Sequence, residues 1–248
     1  MTFWFAKKAI FTPLTIGGII LVSVFSWWSG SNYIQSDVVK TLDLVVSLSM
    51  IKPIIFLISP IPSIWFIYSV MHNKYYLPLI MRSNRKKVAQ ALVFFNSFST
   101  FIICFLGMLI FTLLLTFDLP FSNNPNIESP YRDFLNSFIP FSYAVVRITI
   151  FSLASIVWGN IGLIGSMLIK SPSPLVFIVL PFVSSYVCED LFMPLPPLIN
   201  IYYLTRGFGV DFGNGLLNLL YVVIFFMIII VALSLTFISI FGRKVQND

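Results

Sequence analysis

ALVFFNSFSTFIICFLGMLIFTLLLTF, residues 91–117, runs for 27 residues without a charged side chain. A helix needs only about 20 such residues to cross a hydrocarbon layer of about 30 Å. The rest of the chain agrees with this run. Of its 248 residues 58% are hydrophobic and 10% charged, and the mean hydropathy is +0.95. An ordinary soluble domain is roughly 45–50% apolar and 25% charged. Lipid offers backbone groups no hydrogen-bond partners, so the spans of such a chain are expected to be helices. The fold class expected is an all-α polytopic membrane protein forming one transmembrane domain over 1–248.

Working outward from 91–117, six spans are predicted at 10–28, 53–70, 91–117, 142–169, 173–190 and 216–241. The fourth is longer than one bilayer thickness and is expected to be tilted, broken or extended past the membrane. The fifth, PLVFIVLPFVSSYVC, is short and contains Pro181. The first follows Lys7 and Lys8, as a signal peptide would. It leads into SWWSG, however, which lacks a small-x-small cleavage pattern and puts Trp27 and Trp28 where an interfacial anchor belongs, so a retained span is expected. Cys104 and Cys188 both lie in apolar surroundings and read as packing residues, with neither a disulfide nor a metal cluster suggested.

Sorting charges by loop orients the chain, because Lys and Arg are retained on the cytoplasmic side. Lys7, Lys8, Lys74, Arg82, Arg85, Lys86, Lys87, Lys170, Arg243 and Lys244 fall on one side with Asp248. Asp37, Asp43, Asp118, Glu128, Asp133, Glu189, Asp190 and Asp211 fall on the other, with Lys40, Arg132 and Arg206. Both termini are therefore expected in the cytoplasm. This asymmetry accounts for the net charge of +6 and gives no reason to invoke nucleic acid. Of the exterior loops, 118–138 reads as irregular surface. LFMPLPPLINIYYLTRGFGVDFGNG, 191–215, is apolar but interrupted by prolines and glycines, which suits a re-entrant or interfacial hairpin before helix six, with Tyr202 and Tyr203 at headgroup depth.

The chain offers little catalytic chemistry. Its single histidine, His72, stands at the cytoplasmic mouth of helix two, so a deep Ser or Cys nucleophile has no histidine base. Glu189 and Asp190 stand at the exterior end of helix five and read as an outer cap. The phosphate-binding G-x-x-x-x-G-K-[ST] motif is missing, so ATP use by that route would have to come from a partner. An enzyme is not expected. Within the spans, Arg147 lies near the outer end of helix four, where it either snorkels to the interface or faces a path. Asn160 in WGNIGLIGSM, beside Gly159, Gly162 and Gly165, reads as interhelical glue in a close helix contact. Arg147, Asn160, Glu189 and Asp190 are the candidates for a translocation path or outer gate.

The stretch before 91–117 is the least typical. KYYLPLIMRSNRKK, 74–87, holds five of the fifteen basic residues. Arg85, Lys86 and Lys87 sit near the start of helix three, where the helix dipole disfavours bases, although anionic headgroups would attract them. Lipid does not account for the apolar element in front. Tyr75, Tyr76, Leu77, Leu79 and Ile80 suit a short helix lying along the membrane, and an apolar patch rimmed by charge suits a protein contact.

These residues carry a resemblance. LPLIMRSNRKKVAQAL, with Arg82 and Arg85 flanking Ser83 and Asn84, in a six-helix chain with both ends inside, resembles the ABC-2 family of ABC-transporter permeases. PLPPLINIYYLTRG is similar to that family's extracellular re-entrant region. The chain departs from the family pattern in having no acidic residue before this element, and in placing Ala89 and Gln90 near the usual Gly-Lys. The resemblance implies a multi-pass subunit of a cell membrane, in the first instance a bacterial plasma membrane, paired with a second permease chain as a homo- or heterodimer. Tyr75, Tyr76, Leu77, Leu79, Ile80, Arg82, Arg85, Lys86 and Lys87 would couple it to an ATP-binding cassette subunit. ATP and Mg would be bound by that partner, with no cofactor in this chain, and Lys170 would mark a minor contact. The 27 phenylalanines and the scarcity of charge suit a hydrophobic or amphipathic cargo, such as an antimicrobial or cytolytic peptide or a drug-like molecule. Two rival readings are an immunity or scaffold protein that binds a peptide without transport, and an intramembrane enzyme.

Overall fold

The computed structural model describes residues 12–31, 37–48, 52–72, 75–121, 129–135, 141–168, 183, 195–206 and 210–247. The described residues form nine helices: α1 (Pro13–Ser31), α2 (Val38–Leu48), α3 (Lys52–Ile58), α4 (Ile61–His72), α5 (Tyr76–Arg82), α6 (Arg85–Asp118), α7 (Phe141–Leu168), α8 (Ile201–Arg206) and α9 (Gly215–Asn247). Single 3-10 turns occur at Arg132–Phe134 and Pro197–Ile199, and no strand occurs among the described residues.

Five segments are long and apolar enough to cross a membrane: α1, the α3–α4 pair (Lys52–Met71), α6, α7 and α9. They correspond to five of the six expected spans. The remaining one, 173–190, lies outside the described residues apart from Val183. The helices on either side of it end at opposite ends of the bundle. Met167 packs with the cluster of Ile67, Leu92 and Phe241, whereas the carbonyl of Leu198 accepts a hydrogen bond from Tyr221, near the start of α9.

One difference from the sequence reading has a physical cause. The expected span 53–70 is not one helix. Pro60 and Pro62 lack the N–H groups that would continue it, and α3 turns into α4 at Ser59–Pro60. The expected fourth span, in contrast, is unbroken. α7 runs 28 residues, about 42 Å at a rise of about 1.5 Å per residue.

α1 and α6 run parallel and in close contact. Gly18 meets Ile103, Gly107 meets Val22 and Gly30 meets Phe111. Only a glycine fits at 107, because a Cβ there would stand 2.5 Å from Val22 Cγ1 and 3.1 Å from the carbonyl oxygen of Ile19. α7 runs antiparallel to α6 as the central, most buried helix, with Phe151, Ala154 and Val157 in the core. The apolar interior has two parts. The larger surrounds α7 near Val22, Leu42, Phe111, Phe151 and Phe226. The smaller joins Ile67, Leu92, Leu163, Phe237 and Phe241 at the other end. The first lies at the end carrying Asp37, Asp43, Asp133 and Asp211, called here the acidic end. The second lies at the basic end, with Arg85, Lys86, Lys87 and Arg243.

α2 is the element that charge sorting did not separate from an exterior loop. Asp37 opens it by accepting a hydrogen bond from the Lys40 backbone N–H at 2.8 Å. Val38, Val39, Leu42, Val45 and Val46 then follow helical spacing, and all five are completely buried. The described portions of 191–215 are not one continuous helix, in keeping with the prolines. They hold the 3-10 turn at Pro197 and α8, which packs on α2 and α7 with Leu204, Thr205 and Asn200 inside.

Candidate functional site

Sequence-selected residues gather at two places, one at each end of the bundle. At the acidic end Arg147 does not reach out to the bundle surface. Its side chain is 2% exposed, and its Nε donates to Asp43 Oδ1 of α2 at 2.7 Å. Its Nη2 donates to the Arg206 carbonyl at 2.8 Å and to Ser47 Oγ at 3.2 Å, while Nη1 lies 3.5 Å from the Thr205 carbonyl. Tyr143, one turn earlier on α7, donates to the other Asp43 oxygen at 2.6 Å, and its phenol lies 3.0 Å from Ser129 Oγ. One guanidinium therefore ties α7 to α2 and to the C-terminal carbonyls of α8. A buried charge is tolerable only when paired and hydrogen-bonded, and this arrangement supplies both.

The surroundings extend this clamp. The Tyr131 ring centroid is 6.0 Å from the Arg147 guanidinium carbon, and burial pushes the Tyr131 phenol up to about 12 while the Arg147 charge pulls it down. Two cations lie near the Tyr202 ring of α8, the Arg206 guanidinium carbon at 3.9 Å and Lys52 Nζ at 5.0 Å from its centroid. The Gly215 N–H donates to Asp133 Oδ2 at 2.7 Å, and Asn218 Nδ2 donates to the Pro130 carbonyl at 2.8 Å, which fastens α9 to the same end.

Asn160 lies deeper, in a hydrogen-bonded group spanning three helices. Ser63 Oγ donates to Asn96 Oδ1 at 2.8 Å, Asn96 Nδ2 donates to Asn160 Oδ1 at 2.9 Å, and Asn160 Nδ2 donates to Ser97 Oγ at 3.2 Å. The neighbouring Gly159 lets Pro60 and Thr100 approach α7. Asn160 thus joins α4, α6 and α7 and does not meet Arg147. Glu189 and Asp190 lie outside the described residues.

At the basic end, Tyr76–Arg82 forms the short helix α5, and only Ser83 and Asn84 separate it from α6. Asn84 caps α6 through its side-chain oxygen, which accepts from the Lys86 N–H at 3.1 Å. The two faces of α5 differ. Leu79 and Ile80 pack on the smaller core cluster. Tyr75, Leu77, Pro78 and Met81 face outward, with Met81 87% exposed, beside the exposed Arg85, Lys86 and Lys87. The side chains of Tyr76 and Arg82 lie outside the described part.

Asp43, Ser47, Tyr143 and Lys52 were not singled out from sequence. A carboxylate and an arginine 104 residues apart have no periodic relation that would pair them, and Asp43 reads locally as a loop acid. The buried run Val38–Val46 was the available signal. No group of three or more His, Cys, Asp or Glu side chains suited to a metal occurs among the described residues. Comparison with protein-family models, curated proteins and solved structures finds no match.

Proposed function

We propose that this chain is the transmembrane permease subunit of an ATP-driven exporter of the ABC-2 type. In this reading it lies in a cell membrane with its basic end in the cytoplasm, and acts with a second permease chain and an ATP-binding cassette subunit. The observation that carries the reading is the two-sided α5. One face is anchored on the bundle by Leu79 and Ile80, and the other presents Tyr75, Leu77, Pro78 and Met81 next to three basic side chains. Lipid headgroups explain the charges. A rigidly held apolar face at the end of the bundle suits a groove on another protein. The cap at Asn84 ties that face directly to the longest helix, so movement of a docked subunit reaches the membrane region. The cargo class that fits the aromatic, charge-poor interior is a hydrophobic or amphipathic peptide or drug-like molecule.

The test is whether the chain, purified from the cells that make it, brings an ATP-binding cassette subunit with it. Leu77→Asp and Met81→Asp should abolish association and the stimulation of ATPase activity, with folding retained. Association that survives both substitutions overturns the reading. A peptide-binding protein without transport would recruit no ATPase at all.

A further inference from the structure

Midway along α6 lies a third buried polar group, at the break between α3 and α4. Pro60 and Pro62 have no N–H to return to the carbonyls of Phe56 and Ile58, the partners that an unbroken helix would give them. Pro60 and Thr100 converge on Gly159, where a Cβ would stand 3.1 Å from Pro60 Cβ and 3.3 Å from Thr100 Oγ1. One turn towards the acidic end, the Cys104 thiol lies among the hydroxyls of Ser59, Ser152 and Ser155. Ser59, Thr100, Cys104, Ser152 and Ser155 are all completely buried. Ser59 and Ser152 each donate to their own helix, to Ile55 and Ile148 at 2.7 Å, which uses their protons and leaves oxygen lone pairs. Thr100 Oγ1 and Ser155 Oγ have no hydrogen-bond partner, nor has Ser99 Oγ on the adjacent position of α6; Ser155 lies beside the thiol without hydrogen-bond geometry.

We propose that this break is a water-binding site within the membrane span. Buried hydroxyls without partners, at a break where two prolines supply no N–H, suit a ligand that both donates and accepts. Water does so, and buried waters occupy places where about two to four polar partners converge. A metal cation fits less well. The five side chains carry no formal charge, and Asp43, the acid that meets α7, is already engaged by Arg147 and Tyr143. Bound water would satisfy the broken backbone without fixing its bend, because water partners rearrange more easily than helical ones. The break would then act as a joint between α3, which follows the clamped α2, and α4, which leads to α5. This last step rests on the exporter reading, whereas the water site does not.

Radiolytic hydroxyl labelling of the purified chain in lipid nanodiscs tests the site, because radicals formed from bound water oxidise adjacent side chains that bulk solvent cannot reach. Cys104 is the built-in reporter. Met81, 87% exposed, sets the wet scale, and Met167, 6% exposed in the smaller core cluster, sets the dry one. Cys104 should be oxidised at least about tenfold faster than Met167 and lose most of that excess in a Thr100→Val, Ser155→Ala double variant. Oxidation of Cys104 as slow as that of Met167 in the wild-type chain overturns the proposal without recourse to the variant. So does an excess that the folded double variant leaves unchanged. Protection of Cys104 by sodium or potassium chloride, and not by choline chloride, would assign the site to a cation and overturn water. None of these measurements involves the ATP-binding subunit, so their failure is separate from failure of the exporter reading.

Discussion

The two ends of the bundle are built on opposite plans. At the acidic end, α2, α7 and α8 are hydrogen-bonded to one another around Arg147, the start of α9 is bonded to Asp133, and Asp43, Arg147 and Asp133 all have partners within the chain. At the basic end, α5 spends Leu79 and Ile80 on the bundle and leaves Leu77, Pro78 and Met81 bare. One end is fastened to itself, and the other leaves an apolar face exposed. Burial alone would not distinguish them, since both contain polar and apolar residues. What differs is whether the groups presented have partners within the chain.

Five substitutions would break or sharpen this contrast. The largest effect belongs to Arg147→Leu, which leaves Asp43 unpaired and should cost about 3–5 kcal/mol, seen as loss of folded protein or a large drop in melting temperature in detergent. Replacing Asp43 by Leu as well should recover much of that loss. Failure to recover would mean that Arg147 matters chiefly through the α8 carbonyls. Gly107→Ala comes next. The new methyl must displace Val22, so a cost of about 1–3 kcal/mol is expected, and a variant as stable as the wild type would contradict the close α1–α6 contact. Asn160→Leu strands Asn96 and Ser97 and should cost about 1–3 kcal/mol by the same measurement. Leu77→Asp should change stability least, within about 0.5 kcal/mol, because its side chain is exposed at the open end. A strongly destabilised Leu77→Asp would mean that the basic end is as self-contained as the acidic one.

Much of the fold was legible because lipid demands long uncharged helices, and a run such as 91–117 has no other use. What escaped was whatever depends on contacts between distant residues. α2 is 11 residues long, too short to span, and Asp37, Lys40 and Asp43 give it the look of a loop; only its burial under α7 and α8 makes it a core helix. Arg147 and Asn160 were both visible as polar residues within a span. The reading of Asn160 needed only its glycine neighbour, whereas that of Arg147 needed a carboxylate 104 residues away. The break at Pro60 was written in the sequence, yet hydropathy averages straight across it. For α5, composition marked the apolar element but could not separate the anchoring residues from the outward ones until the packed side was known.

The two-residue link between α5 and α6 leaves almost no slack, and α6 is 34 residues long, about 51 Å of continuous helix. Its far end is not loose either: just past Asp118, the Pro120 carbonyl accepts from the Val38 N–H at 3.3 Å, at the first turn of α2. α6 is thus held at both ends. In the exporter reading, a push on the open face would be delivered through one continuous helix to the root of the clamped α2.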